Sequence, residues 1–278
     1  MNNKLAIIFL TFNSEKTISL SLKAASKLSK NIVVVDSFSS DNTKKICKSY
    51  KCLFIQRRFI NYANQRNWIK KKLCKKFIWQ LHLDADEVLE NKSIQSIKKK
   101  INLNQDKAYL IKRIEFFLNN EIKFTGKNQW HLRLFKPKNT FCENRLYDQH
   151  FISKDILDRI DGHIYDNGKE SLKEYVLKIK RWAKLEAKEQ FLNKNKEILK
   201  GRFSSDPREK YRLFKNIYYR LPKYIRPICY FIYRYFFMLG FLDGKAGFLF
   251  CYYQGFLFRY LVDVEISRIK FKKNEKQN

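Results

Sequence analysis

Four short apolar runs separated by helical patterns constrain this chain more than any other feature. Leu5–Leu10, Ile32–Val35, Leu53–Ile55 and Phe77–Leu83 read as strands, and Ser14–Leu28, Asp41–Tyr50 and Ala63–Leu73 carry helical spacing between them. Such alternation predicts βαβ units and a parallel sheet. Ile32-Val33-Val34-Val35 is apolar at every position, as a strand covered on both faces requires. Ser14 and Asp41 are the expected helix N-caps. In an open parallel sheet, ligands sit beyond the carboxyl ends of the strands. The residues there are Thr11, Asn13 and Glu15 after the first run, Asp36, Ser37, Ser39 and Asp41 after the second, and Asp84 and Asp86 after the fourth. Polar side chains thus gather where the topology places a site.

Ser93–Leu103 is a basic amphipathic helix, Tyr109–Phe117 and Trp130–Phe135 are further strands, and Leu172 to about Leu199 is a long Lys-rich helix. The segment Tyr211–Ile269 changes character, being dense in Phe, Tyr, Leu and Ile with Arg or Lys interleaved. Two domains follow: residues 1–205, catalytic, and residues 206–278, helical. No uncharged run reaches the ~18 residues of a spanning helix. Rings beside basic residues suit an interfacial helix on an anionic membrane surface, with a buried helical pair turning at Leu242-Asp243-Gly244 as the competing reading.

The net charge of +31, from 58 Lys+Arg against 27 Asp+Glu, admits nucleic acid, membrane or a phosphorylated substrate as partner. The basic residues are spread along the chain and form no recognisable nucleic-acid module, so nucleic acid is not expected. The joint abundance of Lys, Asn, Ile, Phe and Tyr also reads as codon bias, which makes part of the charge plain solvated surface. Six cysteines without a C-x-x-C pair read as reduced structural thiols. The apolar run Leu5–Leu10 is too short for a signal peptide, so export is not expected.

The central constellation is His82-Leu83-Asp84-Ala85-Asp86-Glu87. On an extended chain, carboxylates two residues apart point the same way. Asp84 and Asp86 are therefore the candidate ligands of Mg²⁺ or Mn²⁺, which would offset charge on a departing diphosphate. An acidic loop capping the next helix is the alternative.

The blocks "IIFLTFNSEKTISLSLKAA", "NIVVVDSFSSDNT", "FINYANQRNWI" and "WQLHLDADEVL" resemble the successive donor-site blocks of family-2 glycosyltransferases. With "QWHLRLFK" and "GFLDGKAGF" the likeness extends to bacterial enzymes of lipopolysaccharide-core assembly. The resemblance implies an α/β GT-A fold and inverting transfer from a nucleotide-diphosphate sugar to a lipid-linked glycan acceptor. It implies work at the cytoplasmic face of the bacterial inner membrane, as a peripheral or monotopic protein. It also implies nucleotide contacts at Thr11, Asn13, Glu15 and Ser37, a base-binding Asp36, and Arg66 approaching the diphosphate with Asp84. The general base of related enzymes is often a Glu following His. Here the matching stretch is Arg145-Leu146-Tyr147-Asp148-Gln149-His150. Gln149 cannot take a proton, so Asp148 is the candidate base, with Asp86 or Glu143 behind it. Trp130 suits stacking on a sugar and Arg133 suits phosphate. A nucleic-acid-binding protein and a non-catalytic membrane scaffold are the competing classes; the scaffold leaves the carboxylates after the strands unexplained.

Overall fold

The structure is a computed structural model that describes residues 4–126, 129–168, 171–192 and 198–275. Met1–Asn3, residues 193–197 of the long Lys-rich helix and the last three residues of the tail lie outside the described residues. The chain forms two compact units. The first comprises residues 1–116, 128–144 and 149–169; the second comprises 117–127, 145–148 and 170–278.

The first unit is α/β. Strand β1 (Leu5–Thr11), helix α1 (Ile18–Ser26), β2 (Ile32–Asp36), α2 (Thr43–Ser49), β3 (Leu53–Gln56), α3 (Tyr62–Leu73) and β4 (Trp79–Asp84) follow the expected alternation. After them come β5 (Glu87–Leu89), α4 (Asn91–Leu103), β6 (Lys107–Phe117), a two-residue β7 (Asn120–Glu121, in the second unit), β8 (Gln129–Phe135), β9 (Thr140–Cys142), β10 (Phe151–Ser153) and β11 (Ile156–Asp166). The main sheet runs β3-β2-β1-β4-β8-β6-β11-β5. β1 is parallel to β2 and to β4, which puts Thr11 beside Asp36 and Leu10 beside Asp84. β8 is antiparallel to β4 and β6, and β9 and β10 form a separate hairpin. One core packs α1 and α4 against a sheet face through Ile7, Phe9, Leu22, Leu81 and Ile97. On the other face α3 packs through Ile69 and Leu73 against Ile8, Val33 and Val35.

Two expected caps resolve differently. Helix α1 begins at Ile18 behind Thr17, because the Ser14 carbonyl accepts from Thr17 N and Ile18 N and the Ser14 side chain caps nothing. Asp41 does accept from Thr43 N (3.0 Å) at the start of α2, and its other oxygen accepts from Glu15 N (3.0 Å). All six cysteines are free. Burial pushes Cys47 and Cys142 up to about 12 and Cys52 up to about 11, so these thiols stay protonated near neutrality.

The second unit is helical: α5 (Leu172–Leu192), α6 (Pro207–Tyr218), α7 (Ile225–Ile232), α8 (Gly244–Phe250) and α9 (Phe258–Glu275), with π-helical turns at Tyr233–Phe237 and Cys251–Leu257. The helical unit thus takes in residues 117–127, 145–148 and 170–205 besides the expected 206–278. The apolar stripe of α5 (Tyr175, Ile179, Ala183, Ala187) shares one core with Phe250, Phe258, Val262 and Ile266. The "GFLDGKAGF" block is a corner: Asp243 accepts from the backbone N–H groups of Lys123 and Phe124, and Gly247 lies so close to the Gly240 carbonyl that no side chain fits there. No single described helix is long and apolar enough to cross a membrane, although Ile225–Phe237 and Gly240–Glu275, bent by 73°, pass that test as a pair.

Candidate active site

Strand β4 carries buried residues to its end, and there the chain turns. Ala85 and Asp86 form the turn and Glu87 opens β5, so the two-residue periodicity expected of Asp84 and Asp86 does not continue past Asp84. The acid that joins Asp84 is instead Glu87, whose carboxylate accepts from Asp84 N (3.0 Å). Arg66 of α3 donates to Asp84 Oδ1 (2.6 Å), and Arg133 of β8 donates both to Asp84 Oδ2 (2.9 Å) and to Glu87. Both guanidiniums are buried, and the Nε of each has no hydrogen-bond partner.

The electrostatics separate the two acids. Burial alone would raise the Asp84 carboxyl, but Arg66 and Arg133 outweigh it and hold Asp84 well below the usual carboxylate range. Burial dominates at Glu87 and raises it, with Arg133 opposing and Asp84 adding to the rise. Asp84 is thus the ionised anchor of two arginines. The donor set does not make a preformed site for Mg²⁺ or Mn²⁺: an ion at Asp84 would meet two cationic groups already on its oxygens, and among the described residues no group of three or more metal-ligating side chains converges. The carboxylate of Asp86 is expected beside that of Asp84; Asp86 lies in the turn after β4, where its carbonyl accepts from Asn167 N (3.0 Å).

Arg66 and Arg133 line a cleft with His131, Leu132, Cys142, Gln149, His150 and Phe151. The rings of His131 and His150 are stacked, 6.3 Å apart at 23°. His150 is held in place by its neighbour in the fold: its N–H donates to Glu143 Oε1 (3.0 Å) and its carbonyl accepts from Glu143 N (2.9 Å). The fully buried His82 lies behind, stacked on Phe135 (5.2 Å) and bonded through Nε2 to Gln80. Burial, then the charges of Arg66 and Arg133, keep its imidazole well below its ordinary pKa. The sequence signal for His131 and His150 is that they flank the Arg133 block and the Gln149 position.

Asp148 belongs to the second unit. Lys215 donates to its carboxylate (2.8 Å) and Arg212 to its carbonyl (3.2 Å), while Arg145 faces Glu189 (3.7 Å). A carboxylate held by an ammonium is a weak proton acceptor, so this geometry does not favour Asp148 as base. Arg159 lies over the ring of Trp130 at 4.8 Å.

The loops after β1 and β2 are bonded to each other. Thr11 Oγ1 donates to Asp36 Oδ1 (2.9 Å), Ser39 N donates to Asp36 Oδ2 (2.9 Å), and the Ser39 hydroxyl donates to Oδ1. Asn13 N donates to Ser39 Oγ (2.8 Å), Asn13 Oδ1 accepts from Ser40 N (2.9 Å), and Glu15 accepts from Asn42 N (2.9 Å). Ser37 N donates to the Thr11 carbonyl (2.9 Å), and the Ser37 hydroxyl accepts from Gln65 (3.4 Å). Asp36, expected to bind a base, is fully buried and spends its oxygens inside these loops. The structure brings Thr11, Asn13, Glu15, Asp36 and Ser37 together at the carboxyl ends of β1 and β2, and Arg66 meets Asp84 at the end of β4.

The chain is similar to several known proteins. Curated relatives include uncharacterised glycosyltransferases of Rickettsia bellii, 28% identical over 155 residues (55% of this chain, 49% of the relative), and Rickettsia typhi, 25% identical over 150 residues (54% and 48%). The chain spans about half the length of the curated relatives it matches. Among solved structures, residues 1–349 of S. aureus TarS, crystallised with UDP, align at TM-score 0.45 and 13% identity over 97% of this chain and 92% of that one. The Mycobacterium tuberculosis glucosyl-3-phosphoglycerate synthase, crystallised with Mn²⁺, UDP and glucosyl-3-phosphoglycerate, aligns at TM-score 0.34 and 13% identity over 41% of this chain and 45% of that one. The model of glycosyl transferase family 2 matches residues 6–154, more than half of the chain and every strand that carries the site, and the protein is therefore a member of that family.

Proposed function

We propose that the protein is an inverting glycosyltransferase that moves a sugar from a nucleotide-diphosphate donor to a hydroxyl of a lipid-linked glycan acceptor. The observation that carries this reading is the convergence on Asp84 of Arg66 and Arg133, which both line one cleft. Two fixed guanidiniums, each with an unused buried N–H, suit a diphosphate leaving group, whose charge grows as the sugar departs. Asp84 and Glu87 hold the pair in place, so little reorganisation is needed as the bond breaks. The imidazoles of His131 and His150, which line the same cleft as the two arginines, are the proton acceptors this reading assigns to the acceptor hydroxyl. Asp86 remains the alternative base and, with Asp84, the alternative holder of a Mg²⁺ or Mn²⁺ ion; such an ion would displace a guanidinium from Asp84.

We place the enzyme on the cytoplasmic face of a bacterial membrane, held by its second unit. Support comes from the exposed Ile225, Ile228, Tyr233, Phe236 and Phe237 on successive turns of one helical stretch, in a chain of net charge +31. Partial release from membranes by high salt is expected; complete solubility at low salt without detergent contradicts it.

The test of the donor is a thermal-shift screen of nucleotide-diphosphate sugars with and without Mn²⁺. A donor at 100-fold its Kd stabilises the native state by about 2.7 kcal/mol, an easily measured shift in Tm. Arg66→Ala should abolish that shift. If no nucleotide sugar stabilises the wild-type protein, the transferase reading falls.

A further inference from the structure

The second unit treats its buried cations unequally. Arg208 sits on Asp206 (2.7 Å), Lys215 on Asp148 and Glu186 (2.8 and 2.9 Å), and Arg226 on Asp263. Arg234 and Arg259 are buried as well, yet among the described residues neither has a carboxylate within ion-pair distance. Arg234 donates to the hydroxyl (2.8 Å) and the carbonyl (2.6 Å) of Thr125, both uncharged. Arg259 lies over the rings of Tyr218, Tyr230 and Phe258, and its Nε has no hydrogen-bond partner. Rings and neutral oxygens ease a buried guanidinium, but they carry no counter-charge, and an uncompensated buried cation is costly. Both guanidiniums approach one ring, that of Tyr230 on α7, at 5.7 Å from Arg234 and 5.3 Å from Arg259. Burial alone would raise the Tyr230 hydroxyl, but the two arginines outweigh it and hold it below its ordinary pKa. Positive potential is thus concentrated at a ring that is itself half-buried.

We propose that Arg234 and Arg259, around the ring of Tyr230, hold the phosphate of a membrane phospholipid. The surroundings select the source of the phosphate. Ile228, Tyr233, Phe236 and Phe237, in the same helical stretch as Tyr230 and Arg234, are exposed side chains that suit acyl and headgroup depth. A guanidinium suits the phosphate because its planar fork offers parallel N–H donors to two oxygens. The inference rests on the membrane reading of the second unit and deepens it, from diffuse attraction by surface cations to one site for one chemical group. The difference is measurable in salt, since exposed charges are screened at high ionic strength and buried ones far less.

The experiment measures the affinity of the full-length chain, at about 0.5 M salt, for phosphatidylcholine vesicles doped with phosphatidylglycerol or with oleate to the same surface charge. The wild type is compared with Arg259→Gln, Arg259→Lys and Arg220→Gln, the last removing an exposed cation of the same unit. The wild type should prefer phosphatidylglycerol about 10- to 100-fold, and Arg259→Gln should lose that preference. Arg259→Lys, which keeps the charge without the fork, should retain part of it and carries the test if Arg259→Gln does not fold; Arg220→Gln should retain all of it. Equal wild-type affinity for the two vesicles, or a preference undiminished in the folded Arg259 variants, overturns the site and leaves the membrane reading intact. Inorganic phosphate tests the lipid-free source: a rise in Tm equal to that given by dihexanoyl phosphatidylglycerol, and absent from the Arg259 variants, assigns the site to free phosphate and overturns the lipid. A wild type that binds neither vesicle even at low salt overturns the membrane reading and this inference together.

Discussion

The two units both bury arginines, but to opposite ends. In the first, Arg66 and Arg133 share carboxylates with Asp84 and Glu87 and line a cleft, while the apolar residues of β1, β2 and β4 are covered on both faces. In the second, Arg226 pairs with Asp263 (Nε to Oδ1 3.0 Å), Arg234 donates to the Thr125 carbonyl (2.6 Å), and Lys215 bridges Asp148 and Glu186. Arg259, also buried, lies over the rings of Tyr218 and Tyr230. Here the charges are inside and large rings such as Phe236, Phe237 and Phe214 are outside. Polar groups spent internally and exposed phenyl and isoleucine are what support the proposal that this helical unit meets a membrane surface. The comparison explains the net charge better than a total does: part of the excess cation is structural mortar, and only part is surface.

The sharpest way to break this contrast is to remove one buried arginine from each unit. Arg133→Met and Arg226→Met each leave a buried carboxylate without its partner, and each should cost about 3–5 kcal/mol, measured from denaturant midpoints. Their functional consequences should differ: nucleotide-sugar binding at a temperature where both variants are folded disappears in Arg133→Met and survives in Arg226→Met. Loss of donor binding in both would mean that the two units are not separable in function.

A smaller effect is expected at the exposed face. Replacing Phe237 by Ser should reduce affinity for anionic vesicles about 10- to 100-fold while leaving nucleotide affinity unchanged, because one buried ring contributes about 1.5–3 kcal/mol. Two exposed cysteines report the same contrast, Cys74 in the first unit and Cys229 in the second. Anionic vesicles should protect Cys229, not Cys74, from a membrane-impermeant maleimide. Equal labelling of both with and without vesicles contradicts the assignment of the second unit to the membrane.

The smallest effect is on pH. The Asp84 carboxyl is depressed in the folded chain, so its contribution to stability is complete above its unfolded value of about 3.9 and is lost as pH falls through the lower folded value. Glu87 is raised, so its ionisation opposes folding as pH rises through its folded value. Asp84→Asn should flatten the acid limb of the stability curve below about pH 4, whereas Glu87→Gln should remove a decline on the neutral side of that limb. Calorimetry from pH 3 to 7 measures both. An acid limb unchanged in Asp84→Asn would show that the carboxylate does not anchor the arginines.

The strands β1 to β4 and their helices are legible in the chain because a doubly covered strand must be apolar at every position, and Ile32–Val35 can be little else. The donor-edge residues follow, since topology places them after those runs. The partner of Asp84 does not: alternation predicts Asp86, but the turn at Ala85-Asp86 resets the register and Glu87 arrives with Arg133 from β8, 46 residues away. The unit boundary is hidden for a related reason. The stripe on α5 announces that the helix needs a partner without saying which, and only its packing on α9 decides it. Local sequence determined which segments are strand and helix, where polar groups cluster, and which residues are apolar. Tertiary structure decided which charges neutralise one another, because that depends on side chains brought together by the sheet, and neither hydropathy nor spacing encodes such distances.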